Sequence, residues 1–314
     1  MPLLPELVTM IDQINGARAH LPDADTPVAE RRAFIHRGMD RRAGAVAQPA
    51  PPVARADHEA KVDGGTITVR SYTPDLPGPL PGHVYIHGGG WWLGKLDHRD
   101  TLCARLAASA GCVVVSVAHR LAPEHRFPVP LHDCYAALRW LDAHAGGLGV
   151  DAARLSIGGD SSGANLAAAT ALMARDRGGP ALRAQALDIP VLDLTMSRPS
   201  VREFAEGYVL SRDDLARDIG RYCDPDQRRD PYASPLLADS LAGLPPALIM
   251  TAEYDVLRDE GEAYGERLEQ AGVPAEVTRW AGHVHGSHEM TAVLESARAW
   301  QDRVAAFLRA RHAP

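Results

Sequence analysis

Short apolar runs alternate with helical segments from about residue 65 to the end of the chain. Strands are predicted at residues 65–72, 83–86, 112–117, 185–189, 247–251 and 275–279, with one more ending at 156–157. Helices are predicted at residues 129–144, 161–175, 257–271 and 290–311. Such alternation predicts a mainly parallel sheet with helices on both faces.

Two segments do not follow this alternation. The first fifty residues contain apolar residues at helical spacing from Leu3 to Ile14 and a second amphipathic stretch at 28–39, and a proline-rich linker follows at 48–53. A polar stretch at about 198–230 separates two core strands. The sequence therefore predicts N-terminal cap helices in residues 1–50 and a catalytic unit in 51–314, whose insertion at 198–230 joins those helices as a lid over the sheet.

Composition excludes several classes of protein. The chain has 314 residues, 46% of them hydrophobic, and a net charge of −7, so a large core is expected and a nucleic-acid partner is not. No apolar run approaches the roughly 18 residues of a membrane span. The four cysteines form no CxxC pair, and no secretory signal is visible at the N-terminus. A cytoplasmic protein is expected.

The sequence GDSSG at residues 159–163 lies between a predicted strand and a predicted helix. A serine between two glycines at such a corner has the form of a nucleophile elbow, which would hold the hydroxyl of Ser161 exposed above a helix N-terminus. The same residues also fit a glycine-rich turn in which Ser161 caps the helix. The presence or absence of further catalytic residues, in the right chain order, separates the two interpretations.

Three consecutive glycines occur in HGGGWW, residues 87–92, directly after a predicted strand. Glycines expose backbone N–H groups, and acyl transfer requires such donors for the oxyanion of its tetrahedral intermediate. The expected donors are the amides of Gly89, Gly90 and Ser162, with His87 fastening the loop. A phosphate cradle is the alternative, but the G-K-[ST] ending of a P-loop is absent.

An acidic and a histidine-rich segment follow two later strands. Asp255 is the first acid in the proposed loop after the strand at 247–251 that could turn toward Ser161, and Glu253 is a weaker competitor. An imidazole from residues 282–288 would complete the chain order Ser, Asp, His, with Asp255 holding the base. Three histidines in this segment also raise a metal site, but no H-E-x-x-H signature accompanies them, so neither a metal nor a cofactor is predicted.

Together these segments resemble the hormone-sensitive lipase family of α/β-hydrolase esterases. The resemblance extends from about residue 64 to the C-terminus and rests on HGGG at 87–90, GDSSG at 159–163, DVLRDEG at 255–261 and HG at 285–286, with RLAPEH at 120–125 and FP at 127–128. It implies an α/β-hydrolase fold, with a mostly parallel eight-stranded sheet flanked by helices and covered by a helical cap. It makes Ser161 the nucleophile, His285 the base and Asp255 the orienting acid, beside the oxyanion hole already described.

The chain departs from the family at three places. Ser162 stands where alanine usually follows the nucleophile, and Ser287, followed by His288, stands where phenylalanine is usual. Trp91 and Trp92 follow the glycines where one aromatic and one aliphatic residue are more common. Trp91, Trp92, Ser287 and His288 are therefore expected to reshape the substrate pocket.

These observations predict a serine carboxylesterase that hydrolyses short- to medium-chain acyl esters, its small-molecule partners, through an acyl-enzyme. An amide or carbamate hydrolase or an acyltransferase would use the same triad. Hormone receptors that resemble this family lack the triad histidine, so His285 disfavours a non-catalytic receptor. No membrane span is predicted, and a homodimer is left open.

Overall fold

A computed structural model describes residues 2–18, 20–22 and 26–313 of the chain. The predicted units 1–50 and 51–314 both include positions outside these ranges. The described residues form one eight-stranded sheet in the order β1-β2-β4-β3-β5-β6-β7-β8. Its strands are β1 Ala54–Val62, β2 Gly65–Thr73, β3 Leu80–Ile86, β4 Val113–Val117, β5 Val150–Asp160, β6 Leu182–Asp188, β7 Ala247–Tyr254 and β8 Ala275–Val284.

Strand β2 runs antiparallel to both of its neighbours, and every other strand pair is parallel. The described helices are α1 Pro5–Arg18, α2 Val28–Val46, α3 Asp100–Ala110, α4 Val129–His144, α5 Ser162–Asp176, α6 Ser200–Glu203, α7 Arg212–Tyr222, α8 Arg258–Gln270 and α9 Glu295–His312. Short 3₁₀ turns lie at Leu96–Arg99, Ala145–Leu148, Pro225–Arg229, Pro235–Leu237 and Ser287–Glu289. The α/β-hydrolase fold with a mostly parallel eight-stranded sheet is confirmed.

Each face of the sheet has its own apolar core. In β4, Val113, Val115 and Val117 belong to the core that includes α4, α5 and α8, whereas Val114 belongs to the core formed with α3 and α9. Successive side chains of a strand point to opposite faces, so a strand buried on both faces is apolar throughout. This is why the run at 112–117 could be recognised from the sequence.

Several boundaries of helices and strands differ from the predicted ones. Helix α4 has the predicted bounds, but β8 continues to Val284, where Val284 pairs with Tyr254, so His283 lies in the strand and not in a loop. The last helix begins at Glu295 and not at 290. Strand β1 and helix α3 were not predicted.

Helix α1 packs over the end of the sheet. Its residues Leu7, Met10 and Ile11 form a separate apolar cluster with Val284, Met290, Leu294 and Ala297, which flank the predicted histidine loop. The segment at 198–230 contains α6 and α7 and a 3₁₀ turn. The division into cap and catalytic units remains a prediction.

None of the helices in the described ranges combines the length and apolar character that crossing a membrane requires. All four cysteines lie within those ranges, and each is a buried free thiol.

Candidate active site

The serine of the GDSSG sequence occupies a strained corner. Strand β5 ends at Asp160 and α5 begins at Ser162, and Ser161 between them has φ 55° and ψ −121°. A positive φ is uncommon for a residue with a side chain and is maintained only where the surroundings impose it. A Cβ on Gly159 or Gly163 would overlap the carbonyl oxygen of Ile86 at the end of β3. Glycine is therefore required on both sides of Ser161 by the neighbouring strand.

Three side chains form a continuous hydrogen-bonded chain at the carboxyl edge of the sheet. The Nε2 atom of His285 lies 3.0 Å from the Oγ of Ser161, and its Nδ1 lies 2.7 Å from an Oδ of Asp255. Asp255 follows β7 directly and is 2% exposed, and its other oxygen accepts a bond from the amide of Leu257. With Nδ1–H donating to Asp255, Nε2 is free to accept the proton of the Ser161 hydroxyl.

The pKa of His285 is raised above its ordinary value. Burial opposes the protonated imidazole, but the charge of Asp255 and its hydrogen bond outweigh burial, with further contributions from Asp160 and Glu289. An opposite charge within a few ångströms favours the charged form of an imidazole. A protonated imidazole at this position is thus stabilised.

The loop after β3 carries the predicted oxyanion donors. Gly89 and Gly90 have φ of 129° and 58°, a region that glycine adopts without steric cost. Among the described residues no acceptor is bonded to the amides of Gly89 and Gly90. They therefore remain available to an oxygen atom beside Ser161.

Two side chains next to Ser161 hold this loop in place. The hydroxyl of Ser162 accepts a bond of 3.1 Å from the amide of Trp91, and Asp160 accepts one of 3.0 Å from the amide of Gly88. The Ser162 hydroxyl is thus engaged in holding the glycine loop. His87 is buried, bonds to the carbonyl of Gly88 and stacks on His119 at 4.6 Å.

The two tryptophans occupy different environments. Trp91 is 1% exposed, stacks on Tyr222 of α7 at 4.4 Å and donates to the Oδ1 of Asn165. Trp92 lies under the guanidinium of Arg221, 4.2 Å from the ring centre. Both rings therefore connect the glycine loop to other elements, but only Trp92 borders the large cavity described next.

A cavity of about 960 Å³ lies between α1, α2, α7 and the glycine loop. A ligand pocket of this size is within the usual range. Its lining is mixed toward α1 and α2 and charged toward α7. It includes Met10, Gln13, Ile14, His20, Leu21, Arg31, Phe34, Ile35, Gly38, Met39, Arg41, Trp92, Leu93, Val209, Leu210, Asp214, Arg217, Asp218 and Arg221. The Asp218 carboxylate contacts the Cα side of Gly90, so the cavity adjoins the predicted oxyanion hole.

Ser287 and His288 lie on the 3₁₀ turn after His285, and neither borders this cavity in the described structure. The hydroxyl of Ser287 donates to the carbonyl of Val284 and accepts from the Nδ1 of His283. His288 is 1% exposed and lies beside Trp300, with ring centres 5.5 Å apart. Their part in a substrate pocket remains a prediction.

One group among the described residues has the donor atoms of a metal site: Asp160, His288 and Glu289. The guanidinium of Arg99 already forms ion pairs with both carboxylates, at 2.7 Å and 2.9 Å. A cation bound by these carboxylates would face the positive charge of Arg99 at short range. The arrangement favours the arginine over a metal ion.

Comparison with known proteins gives consistent matches. The α/β-hydrolase fold family matches residues 83–289. An ethyl acetate hydrolase of Pseudomonas putida is 42% identical over 240 aligned positions, 75% of this chain and 76% of that protein. A carboxylesterase of Mycobacterium tuberculosis is 38% identical in an alignment that covers 98% of this chain and 93% of that protein. The solved structure of a hyperthermophilic esterase from Pyrobaculum calidifontis has a TM-score of 0.91 and 38% identity, with 99% of each chain covered.

The sheet, the strained serine corner and the glycine loop are those of an α/β-hydrolase. Within that class the chain belongs to the hormone-sensitive lipase family. The predictions of this family and of a carboxylic ester hydrolase are confirmed by these relatives.

Proposed function

We propose that this chain is a serine carboxylesterase in which Ser161 is the nucleophile, His285 the general base and Asp255 the orienting acid. The observation that carries the proposal is the pair of bonds on His285, 3.0 Å to the Ser161 hydroxyl and 2.7 Å to the Asp255 carboxylate. A nucleophile within hydrogen-bond reach of a base that is itself held by a third group is the arrangement covalent catalysis requires.

In acylation, the Ser161 oxygen attacks the ester carbonyl and its proton passes to the Nε2 of His285. The carbonyl oxygen becomes an oxyanion, which accepts bonds from the amides of Gly89, Gly90 and Ser162. The intermediate collapses by breaking the bond to the alcohol oxygen, which takes the proton from His285. An acyl-enzyme and a free alcohol result.

In deacylation, a water molecule gives its proton to the Nε2 of His285 and attacks the acyl carbon. The second oxyanion is held by the same three amides. Its collapse breaks the bond to the Ser161 oxygen, which recovers a proton from His285, and the carboxylic acid leaves.

The cavity next to the glycine loop supports small esters with short to medium acyl chains as the substrates. It is bordered by apolar side chains of α1 and α2, by Arg31 and Arg41 of α2 and by Trp92, which lies two residues after Gly90. The relatives named ethyl acetate hydrolase and carboxylesterase act on esters by their names. The same triad could hydrolyse an amide or a carbamate, or transfer the acyl group to a second alcohol. The hydrogen-bond geometry around His285 favours none of these reactions over ester hydrolysis.

Two further properties belong to this proposal. We infer a cytoplasmic enzyme because its four cysteines are buried free thiols, which suits a reducing compartment.

A homodimer is supported by strand β8, which is an edge of the sheet and carries Val277 with 40% exposure. Sedimentation equilibrium at micromolar concentration tests it, and a single species of 33.7 kDa would contradict it.

The decisive experiment replaces Ser161→Ala and measures hydrolysis of p-nitrophenyl esters from acetate to decanoate. We expect kcat to fall by a factor of at least about 10³, because removal of a nucleophile leaves only binding and oxyanion stabilisation. Ser109→Ala, on the partly exposed surface of α3, is the matched control and should keep wild-type rates.

A p-nitroanilide of the same acyl group separates ester from amide hydrolysis. Turnover of the anilide at a rate comparable to that of the ester would indicate that the enzyme is an amide hydrolase and not primarily an esterase. Near wild-type turnover by Ser161→Ala would contradict the assignment of the triad.

A further inference from the structure

Arg99 is a buried cation outside the proposed triad. It ends the 3₁₀ turn Leu96–Arg99, shortly after the glycine loop, and is 6% exposed. Its Nε and Nη2 atoms donate to the two oxygens of Asp160, at 3.1 Å and 2.7 Å. The same Nη2 lies 2.9 Å from an oxygen of Glu289. One guanidinium thus joins two carboxylates from distant parts of the chain.

These two carboxylates belong to different parts of the site. Asp160 directly precedes Ser161, and its Oδ1 accepts bonds from the amide of Gly88 and the hydroxyl of Tyr85. Glu289 lies on the 3₁₀ turn that follows His285. Arg99 therefore links the serine corner and the glycine loop to the segment that carries the base.

The ion pair between Arg99 and Asp160 is held in a fixed geometry. Burial opposes ionisation of Asp160, but the charge of Arg99 and its hydrogen bonds hold the pKa of that carboxyl well below its ordinary value. A bidentate bond between a guanidinium and a carboxylate fixes their relative orientation as well as their distance. The side chain of Glu289 is 31% exposed, and Arg99 keeps Asp160 as its partner when Glu289 is replaced, so Glu289→Gln leaves no buried charge unpaired.

The groups facing His285 come from several elements. Asp255 at the end of β7, Asp160 at the end of β5 and Glu289 on its own segment all favour its protonated form. Arg99, paired with two of these acids, offsets part of their field. His283 on the same segment is buried, and burial lowers its pKa to about 4, so it is uncharged near neutral pH.

We propose that Arg99 and Glu289 are positioning residues for the general base: their ion pair fixes the His285 segment against the serine corner and balances the negative charge around the imidazole. This rests on the proposed triad. Glu289 raises the basicity of His285, Arg99 lowers it, and the pair holds Nε2 at bonding distance from the serine oxygen. Neither residue touches the substrate.

The test is the pH dependence of kcat/KM for p-nitrophenyl acetate in Glu289→Gln and Arg99→Met, with Glu295→Gln as control. Glu295 is an exposed acid at the start of α9. Glu289→Gln should move the acidic limb to lower pH by about half a unit, the size expected of one partly screened charge. Arg99→Met should move it to higher pH, and Glu295→Gln should leave it unchanged.

The kinetic constants provide a second readout. We expect Glu289→Gln to lower kcat several-fold with KM within about twofold of wild type, because the substrate makes no contact with this pair. Arg99→Met leaves Asp160 buried without its cation and can fail to fold, so Arg99→Lys, which keeps the charge and loses the bidentate bond, is measured beside it. It should lower kcat while leaving the acidic limb in place.

An acidic limb of Glu289→Gln that coincides with wild type, or moves upward, would overturn this inference. That outcome together with an inactive Ser161→Ala leaves the triad standing. An active Ser161→Ala would instead remove the triad itself.

Discussion

At the scale of single residues, the site depends on one backbone conformation. Ser161 has φ 55° because glycines at 159 and 163 let the end of β3 approach the corner closely. The carbonyl of Ile86 fills the space where either Cβ would stand. The strain at Ser161, which is 8% exposed, is therefore imposed by packing of the parallel sheet, and side chains at positions 159 and 163 would prevent this conformation.

The raised pKa of His285 has a measurable consequence. The proposed mechanism needs the neutral imidazole, so activity should fall as pH drops through that pKa, and the acidic limb of kcat/KM should lie above the ordinary value of 6.5. Asp255→Asn removes the main cause of the rise, so the limb should move to lower pH while kcat falls by about 10⁴ through loss of the correct tautomer. Initial rates between pH 5 and 9 measure both effects.

The matched control is Asp239→Asn, an exposed acid whose side chain has no described bond. It should reproduce the wild-type profile. A wild-type limb below 6.5, or an Asp255→Asn limb that moves upward, would contradict the assigned charge balance.

At the scale of elements, α7 meets the glycine loop through a carboxylate. Asp218 contacts Gly90 and forms an ion pair of 2.7 Å with Arg221, which in turn covers Trp92. Burial raises the pKa of Asp218 to about 7, although the charge of Arg221 opposes the rise. The folded protein therefore takes up a proton on Asp218 at a higher pH than the unfolded chain does.

The raised pKa of Asp218 determines how this residue's contribution to the free energy of unfolding changes with pH. The contribution of the protonated carboxyl is fully present below the unfolded pKa of 3.8 and is lost as pH rises toward about 7. Asp218→Asn should therefore raise Tm relative to wild type by about a few degrees more at pH 8 than at pH 4, a difference limited by the 19% exposure of the side chain. Thermal denaturation followed by circular dichroism at the two pH values measures it.

Asp213→Asn, an exposed acid on the same helix, serves as the reference. Its Tm difference from wild type should be equal at both pH values. A gain for Asp218→Asn that is larger at pH 4 would show that the carboxylate stabilises the fold when charged.

The elements also show what the sequence could predict. Strands buried on both faces and amphipathic helices such as α4 were found because their periodicity is strong. Strand β1 was missed because it lies at the sheet edge and most of its side chains are exposed, so no apolar run marks it. The extension of β8 was missed because residues 281–283 are Ala, Gly and His, which do not continue a strand pattern.

Among site residues, Ser161, Asp255 and the glycine loop follow local motifs, and His285 follows the family resemblance. Arg99 and Glu289 could not be found in this way, since their relation exists only in three dimensions. The same holds for the Ser162 hydroxyl, whose acceptor role depends on the path of the Trp91 backbone.

At the scale of the whole molecule, sheet topology brings together residues that are far apart in sequence. The carboxyl ends of β3, β5, β7 and β8 lie along one edge, and each contributes one part of the site. The N-terminal helices then enclose the cavity above that edge, so its size is set by those helices together with the glycine loop and the segment at 209–221.

The enclosing helices should therefore set the acyl-chain limit. Ile14→Trp, on the cavity side of α1, adds volume where a longer acyl chain would lie. We expect kcat/KM for p-nitrophenyl octanoate to fall roughly tenfold or more, as for a few methylenes that no longer fit, while acetate stays within about twofold. A series of ester chain lengths measures the limit.

Val8→Trp places the same ring on an exposed position of α1, with 45% exposure, and should leave the series unchanged. An equal loss for acetate and octanoate in Ile14→Trp would indicate a general disturbance of the fold and contradict the assignment of the cavity to the acyl chain.

The stack of Trp91 on Tyr222 has a consequence for engineering and for evolution of this fold. The ring that follows the glycine loop has its partner on α7, at 4.4 Å and nearly parallel. A graft that replaced α7 with the corresponding helix of a relative, in order to change substrate range, would also remove the surface against which the glycine loop is held. Exchange of substrate preference by swapping this segment should therefore succeed only when Trp91 and Tyr222 are transferred together.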